Sequence, residues 1–242
     1  MDWRRVCQTA LLNEAAEMLC KAEPVSARSP TFKRSSALAY FMSCVLATLP
    51  LVAPGQVTTE TCGEFYTAYG PFDFRTIGRM ELRTVEINHF TPNVENLVKG
   101  ETGPLGGDLA YTLRAIPNHP RALNSMARLA RVEKRPVPKG ARYSVDCWYE
   151  HAIQFAPNDP AVRVVIGINL LKDGDRQGAI KQLRIAEELA PENATVQYNL
   201  GLAYFDLKDF DRSLSHAKRA YELGFPLPGL RDKLVRAGKW KD

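Results

Sequence analysis

The chain has little from which a reaction could be built. Its four histidines, His89, His119, His151 and His216, lack the short spacing that metal sites use. It has no Gly-x-Ser-x-Gly elbow, no zincin motif and no kinase signature. One glycine-rich run, Gly103-Pro104-Leu105-Gly106-Gly107, lacks the Gly-Lys-Ser/Thr ending of a phosphate loop. It reads as a flexible link before Asp108, which is expected to cap the next helix. No enzyme and no cofactor are implied. An enzyme or small-ligand receptor with its site in the 62–107 head, near Tyr69 to Arg75, is the alternative. Basic residues are not interleaved with aromatics, and 32 Lys+Arg against 27 Asp+Glu give a net charge of only +5, which gives nucleic-acid binding no support. Hydrophobic residues at 45% and charged residues at 24% are ordinary for a globular chain, and 242 residues hold one or two domains.

Charge is missing altogether from Ser35 to Thr59. Lys33 and Arg34 precede this stretch, 37–53 is almost wholly apolar, and Pro54-Gly55 follows. That is the grammar of an export signal. The apolar core is shorter than the ~20 residues of a spanning helix, and Pro50 interrupts it. Residues 35–56 are expected to be a signal peptide or membrane anchor, and 1–34 a disordered extension whose amphipathic run (Val6 to Leu19) stops at Pro24. The protein would then be exported, periplasmic or membrane-anchored, touching a membrane only through this segment; a cytoplasmic protein with a buried helix here is the alternative. Phe41-Met42-Ser43 before Cys44 resembles a lipoprotein processing box only loosely. Of five cysteines, Cys7, Cys20 and Cys44 fall in or before this segment, leaving Cys62 and Cys147. In an oxidising compartment these two would bridge the head to the helices. The other reading is two unrelated buried thiols.

Proline supplies the positive signal. Ala156-Pro157-Asn158-Asp159-Pro160 recurs as Ala190-Pro191-Glu192-Asn193-Ala194, and 191 − 157 = 34 residues separate the prolines. Between them the helical apolar period breaks once, at Lys172-Asp173-Gly174-Asp175. Small residues fall in register: Gly167, Ala179 and Ala186, then Gly201, Ser213, Ala217 and Ala220. Two helices and a turn at this period resemble a tetratricopeptide (TPR) repeat. The resemblance implies an all-α fold, a TPR-type helical-hairpin solenoid of about three repeats over 108–242. Each hairpin buries its apolar face only by stacking. Pro117-Asn118-His119-Pro120 is a further such turn. Its spacing to the next proline, 157 − 117 = 40, puts six extra residues in an exposed loop at Lys134–Gly140. A final helix, Leu230 to Ala237, resembles the solvating helix that ends such arrays, with Trp240 packing back.

The 57–107 segment is read as a non-repeat cap. Tyr66, Tyr69, Phe72 and Phe74 form either a packed cover or a ligand-contacting patch, and the alternation Val85, Ile87, His89 permits a short strand. Thr91-Pro92 has the chemistry of a helix start, for a helix carrying Val94, Leu97 and Val98 to Gly100.

In the TPR family the first helix of each repeat lines a groove. The matching residues here are Arg121, Asn124 and Arg128, then Val164, Ile168 and Leu171, then Tyr198, Leu202 and Phe205. The resemblance therefore implies a scaffold or adaptor whose groove, graded from basic to apolar, binds a protein or peptide partner. The family's carboxylate clamp is disfavoured, because Val164 and Ile168 stand where it needs Lys and Asn.

Overall fold

A computed structural model describes residues 62–65 and 69–240. The expected 1–34 extension, the 35–56 signal or anchor, Cys7, Cys20, Cys44 and Tyr66 lie outside the described residues. Among those described, every regular element is a helix: α1 (Arg79–His89), α2 (Pro92–Glu95), α3 (Leu105–Ala115), α4 (Pro120–Glu133), α5 (Val145–Phe155), α6 (Pro160–Lys172), α7 (Arg176–Leu189), α8 (Ala194–Asp206), α9 (Phe210–Glu222) and α10 (Gly229–Arg236). None is long and apolar enough to cross a membrane.

The repeated turns start helices for a local reason. A helix leaves its first N–H groups unpaired, and a short polar side chain just before it can accept from them. Asp159, Asp175, Asn193 and Asp209 do this for α6, α7, α8 and α9. Pro120 and Pro160 sit in the first turn, where no N–H is needed. The pairs α4–α5, α6–α7 and α8–α9 stack in series, with α4, α6 and α8 side by side and α10 packed on α8 and α9. Small residues allow this approach. A Cβ on Gly167 would lie 2.6 Å from Leu183 Cγ of α7, and one on Gly201 would lie 2.4 Å from Leu230 Cδ2 of α10 and 3.3 Å from the Ser213 carbonyl of α9. Ala179, Leu183 and Ala186 are fully buried, as are Ala217 and Ala220.

Upstream the structure departs from the expectations. Residues 79–89 are helix, not strand, and α1 packs on α3 to make a further helix pair ahead of α4. Val85 alone of α1 is fully buried, and Ile87, its apparent partner in a strand alternation, is 59% exposed. Thr91 and Pro92 do start a helix, with the Thr91 carbonyl accepting from the Glu95 N–H at 2.9 Å, but the Thr91 hydroxyl makes no cap bond: it bonds Glu101 Oε1 at 2.6 Å, and α2 ends at Glu95, short of Leu97. Asp108 is not a cap either. It lies inside α3, fully buried, and accepts from the Glu101 and Thr102 N–H groups and the Thr102 hydroxyl. The glycine run is no flexible link: Gly106 belongs to α3, and a Cβ there would meet the Lys139 carbonyl at 2.5 Å. The 134–140 loop is thereby packed on α3 at one side, with Pro138 buried.

The aromatic residues before α1 pack. Phe65 stacks on His151 (4.1 Å between centroids) and meets Tyr143 and Trp148, all on or beside α5. Tyr69, Phe72 and Phe74 pack around Val85, Ala115 and Ile116. Cys62 and Cys147 are disulfide-bonded, with Cα atoms 5.2 Å apart.

Candidate partner-binding groove

The row α4–α6–α8 presents one face, and its side chains divide into three kinds. Val164 and Tyr198, expected in the groove, are core: they are 5% and 7% exposed. Val164 packs with Leu183, Val196 and Leu200. Tyr198 stacks on Phe225 at 3.9 Å, covered by the segment leading into α10. Ile168, Leu171, Leu202 and Phe205 are half-buried and form an apolar strip along α6 and α8. Asn124 and Arg128 on α4 are also half-buried.

Arg121 is not brought to this strip. Its guanidinium is held between Glu86 of α1 and Glu95 of α2, 2.9 Å from the latter. The register explains the error. Asn124 and Arg128 precede Val164 and Ile168 by 40 (164 − 124, 168 − 128), the 40-residue spacing of the turns. By that offset Arg121 matches the buried Ala161, and the counterpart of Leu171 is Arg131. Arg131 donates to Asn169 Oδ1 (2.7 Å) and Asp173 Oδ1 (3.2 Å), while Asn169 donates to Asn124 Oδ1 (3.3 Å). Sequence reasoning missed both Arg131 and Asn169, and the 40-residue offset would have found the arginine. Arg128 reaches the Glu95 carbonyl at 3.4 Å, so the α4 end of the face is a polar network continuous with α2.

On the opposite edge the inter-helix turns are linked. Asn118, fully buried, donates to Asp73 (2.8 Å) and Asp159 (2.8 Å) and accepts from the Phe74 N–H (2.9 Å). The Arg75 hydrogen bonds hold the Asp73 carboxyl down at about 2. Arg75, whose Nε donates to Asp73 Oδ1 at 2.9 Å, and Asp73 thus join one turn to the next through Asn118.

His119 ties charge to fold. Its Nδ1 accepts from the Ala122 N–H at 3.2 Å, so the proton sits on Nε2, 3.3 Å from Glu86 Oε1. Burial holds the imidazole below its ordinary pKa, and the Glu86 hydrogen bond only partly offsets this. Burial lowers His151 and His216 likewise. A group with a lowered folded pKa leaves the unfolded chain binding more protons, so stability falls as pH drops below about 6.5. The carboxylates Asp73, Glu86 and Asp108 are all held low and act in the same direction below about 4. Asp146, raised by burial and by Asp173, opposes them weakly. Urea midpoints are therefore expected to fall from pH 7 to pH 5, and His119→Gln is expected to flatten that slope; a midpoint constant over this interval would contradict the assignment. Among the described residues, no three His, Cys, Asp or Glu side chains converge as metal ligands.

Residues 164–224, from within α6 to just past α9, match the tetratricopeptide repeat family model. The fold is a TPR-type helical solenoid. No curated protein matches the chain, whereas 53 chains of solved structures do. One of these, PilF of Pseudomonas aeruginosa, is 20% identical with a TM-score of 0.46, and the match covers 65% of this chain and 67% of that one. Another, described as MamA MSR-1 C2, is 16% identical with a TM-score of 0.39 over 60% of this chain and 83% of that one.

Proposed function

We propose that the protein is a non-catalytic adaptor whose α4–α6–α8 face holds a segment of a partner protein. The observation that carries this is the strip Ile168, Leu171, Leu202 and Phe205, which the stacking leaves half-open to solvent. Half-open apolar side chains in a row favour a partner's apolar side chains, and flanking charge sets register. The polar side chains of α4 beside the apolar strip of α6 and α8 suit an extended or helical peptide with acidic and hydrophobic residues.

We place its work in a bacterial-type cell envelope. The Cys62–Cys147 bridge supports this, because structural disulfides persist in oxidising compartments. The apolar, charge-free 35–56 segment supplies the export signal or anchor in this reading. A reporter active only after export, fused to residues 1–60, reads that location directly: an inactive fusion would return the protein to the cytoplasm.

The groove is tested by a photo-crosslinking residue at Leu171, not at the buried Tyr198. We expect a defined protein to be captured in cells, and Leu171→Arg to weaken its binding about tenfold. A probe at exposed Lys181 on α7 should capture nothing in common with it. Identical capture from both positions would remove the groove reading.

A further inference from the structure

The α8 end of the strip carries an unusual concentration of positive charge. Phe205 and Phe210 meet edge to face with centroids 5.5 Å apart. Lys208 Nζ, from the turn joining α8 to α9, lies 5.7 Å from the Phe205 centroid, and Lys233 Nζ, from α10, lies 5.5 Å from the same ring. Lys239 Nζ, from the chain after α10, lies 5.4 Å from the Phe210 centroid. Three separate segments thus deliver ammonium groups to one aromatic pair. Among the described residues none of the three is ion-paired with a carboxylate. Asp209, the nearest in sequence to Lys208 on its C-terminal side, is taken by Arg212, whose Nε donates to it at 2.6 Å.

The backbone at Lys208 adds an independent observation. Its φ is +64°, in the left-handed region, where a side chain is strained. One repeat earlier the same place (208 − 174 = 34) is held by Gly174 at φ +86°, which has no such strain. A glycine would serve the turn better, yet the chain keeps a lysine whose ammonium faces Phe205. The matching turn of the α4–α5 pair also carries a left-handed lysine, Lys134 at φ +53°.

We propose that Lys208, Lys233 and Lys239 form an anion-reading end of the groove, which takes the carboxylates of an acidic stretch adjoining an apolar side chain in the partner protein. This rests on the groove reading above. Gathering like charges is unfavourable until an anion arrives, and a carboxylate beside a half-buried ring is held more firmly than one in open water. A single-stranded nucleic acid fits less well, because its bases need open aromatic faces and here the ammonium groups lie over them.

The experiment pans a random-peptide library against the full chain at low salt, then compares variants. Enriched peptides should carry an apolar residue next to a run of Asp or Glu. Lys208→Gly should keep or raise the thermal midpoint while weakening the enriched peptide roughly two- to fivefold. Adding Lys233→Gln and Lys239→Gln should bring the loss to about tenfold or more, shrinking as salt rises. Ile168→Glu separates the two readings. Loss in Ile168→Glu with no change in the lysine variants keeps the groove and overturns this inference; the reverse keeps the lysine cluster and removes the groove. No enrichment, enrichment without acidic residues, or tighter binding of a single-stranded oligonucleotide than of the enriched peptide each overturns it.

Discussion

Gly167→Val is expected to lower stability by about 3 kcal/mol, the upper part of the range for overpacking a tight site. A Cβ at this position would lie 2.6 Å from Leu183 Cγ and 2.9 Å from its Cδ2, with the Ala179 carbonyl 3.3 Å away. Leu183 has nowhere to retreat, since it is fully buried between α6 and the following pair. Replacing glycine within a helix returns up to about 1 kcal/mol of backbone entropy, less for a β-branched residue, which is too little to offset the overlap. For a domain of this size the loss corresponds to a thermal midpoint lower by roughly 6–12 °C. Gly103→Ala is the control: nothing lies within 4 Å of its Cβ, and the midpoint should not move. An unchanged midpoint for Gly167→Val would mean that α6 and α7 do not touch as described.

Reduction of the Cys62–Cys147 bridge should cost about 4.5 kcal/mol, the chain-entropy value for closing a loop of this length, here a sequence separation of 85. The bridge ties the segment before α1 to the third residue past the α5 cap, and Phe65 then lies among Tyr143, Trp148 and His151. Reduction should therefore lower the melting midpoint and quench or shift the fluorescence of Trp148, which is almost fully buried beside Phe65. Thiol alkylation followed by mass spectrometry reports the redox state directly. A protein purified from an oxidising compartment that labels at both cysteines, or melts identically with and without reductant, would sink the assignment.

The part of the fold legible in sequence was the part with a local code. Proline at the turns, Asp or Asn before α6, α7, α8 and α9, and Gly167 opposite Leu183 all act within one repeat, and those four helices follow from them. The helix α1 was hidden because its exposed face carries Met80 and Ile87, 79% and 59% exposed, which blur the helical period and leave Val85, Ile87 and His89 looking like alternation. Asp108 misled for a different reason. Thr102 folds back on it from the loop before α3, and the His89 ring 3.0 Å away arrives only when α1 and α3 pack, so the Gly-rich pattern does not distinguish it from a cap. The half-buried apolar strip was legible in outline at Ile168, Leu171, Leu202 and Phe205. Val164 and Tyr198 were not separable from them, since burial there depends on the next helix pair and on α10. Arg121 failed by register alone.

The connections between helix pairs are unevenly distributed. Up to α6 the pairs are joined by a covalent bridge, by the Asp73–Asn118–Asp159 relay and by the acid pair around Arg121. Beyond α6 the covalent bridge and that relay are absent, and the rows are held largely by apolar packing under α10. The molecule accordingly has a firm end and a soft end, and thermal fraying should start at the soft one. Whatever seats itself across α8 and α10 would act as a doorstop, making occupancy and heat resistance rise together.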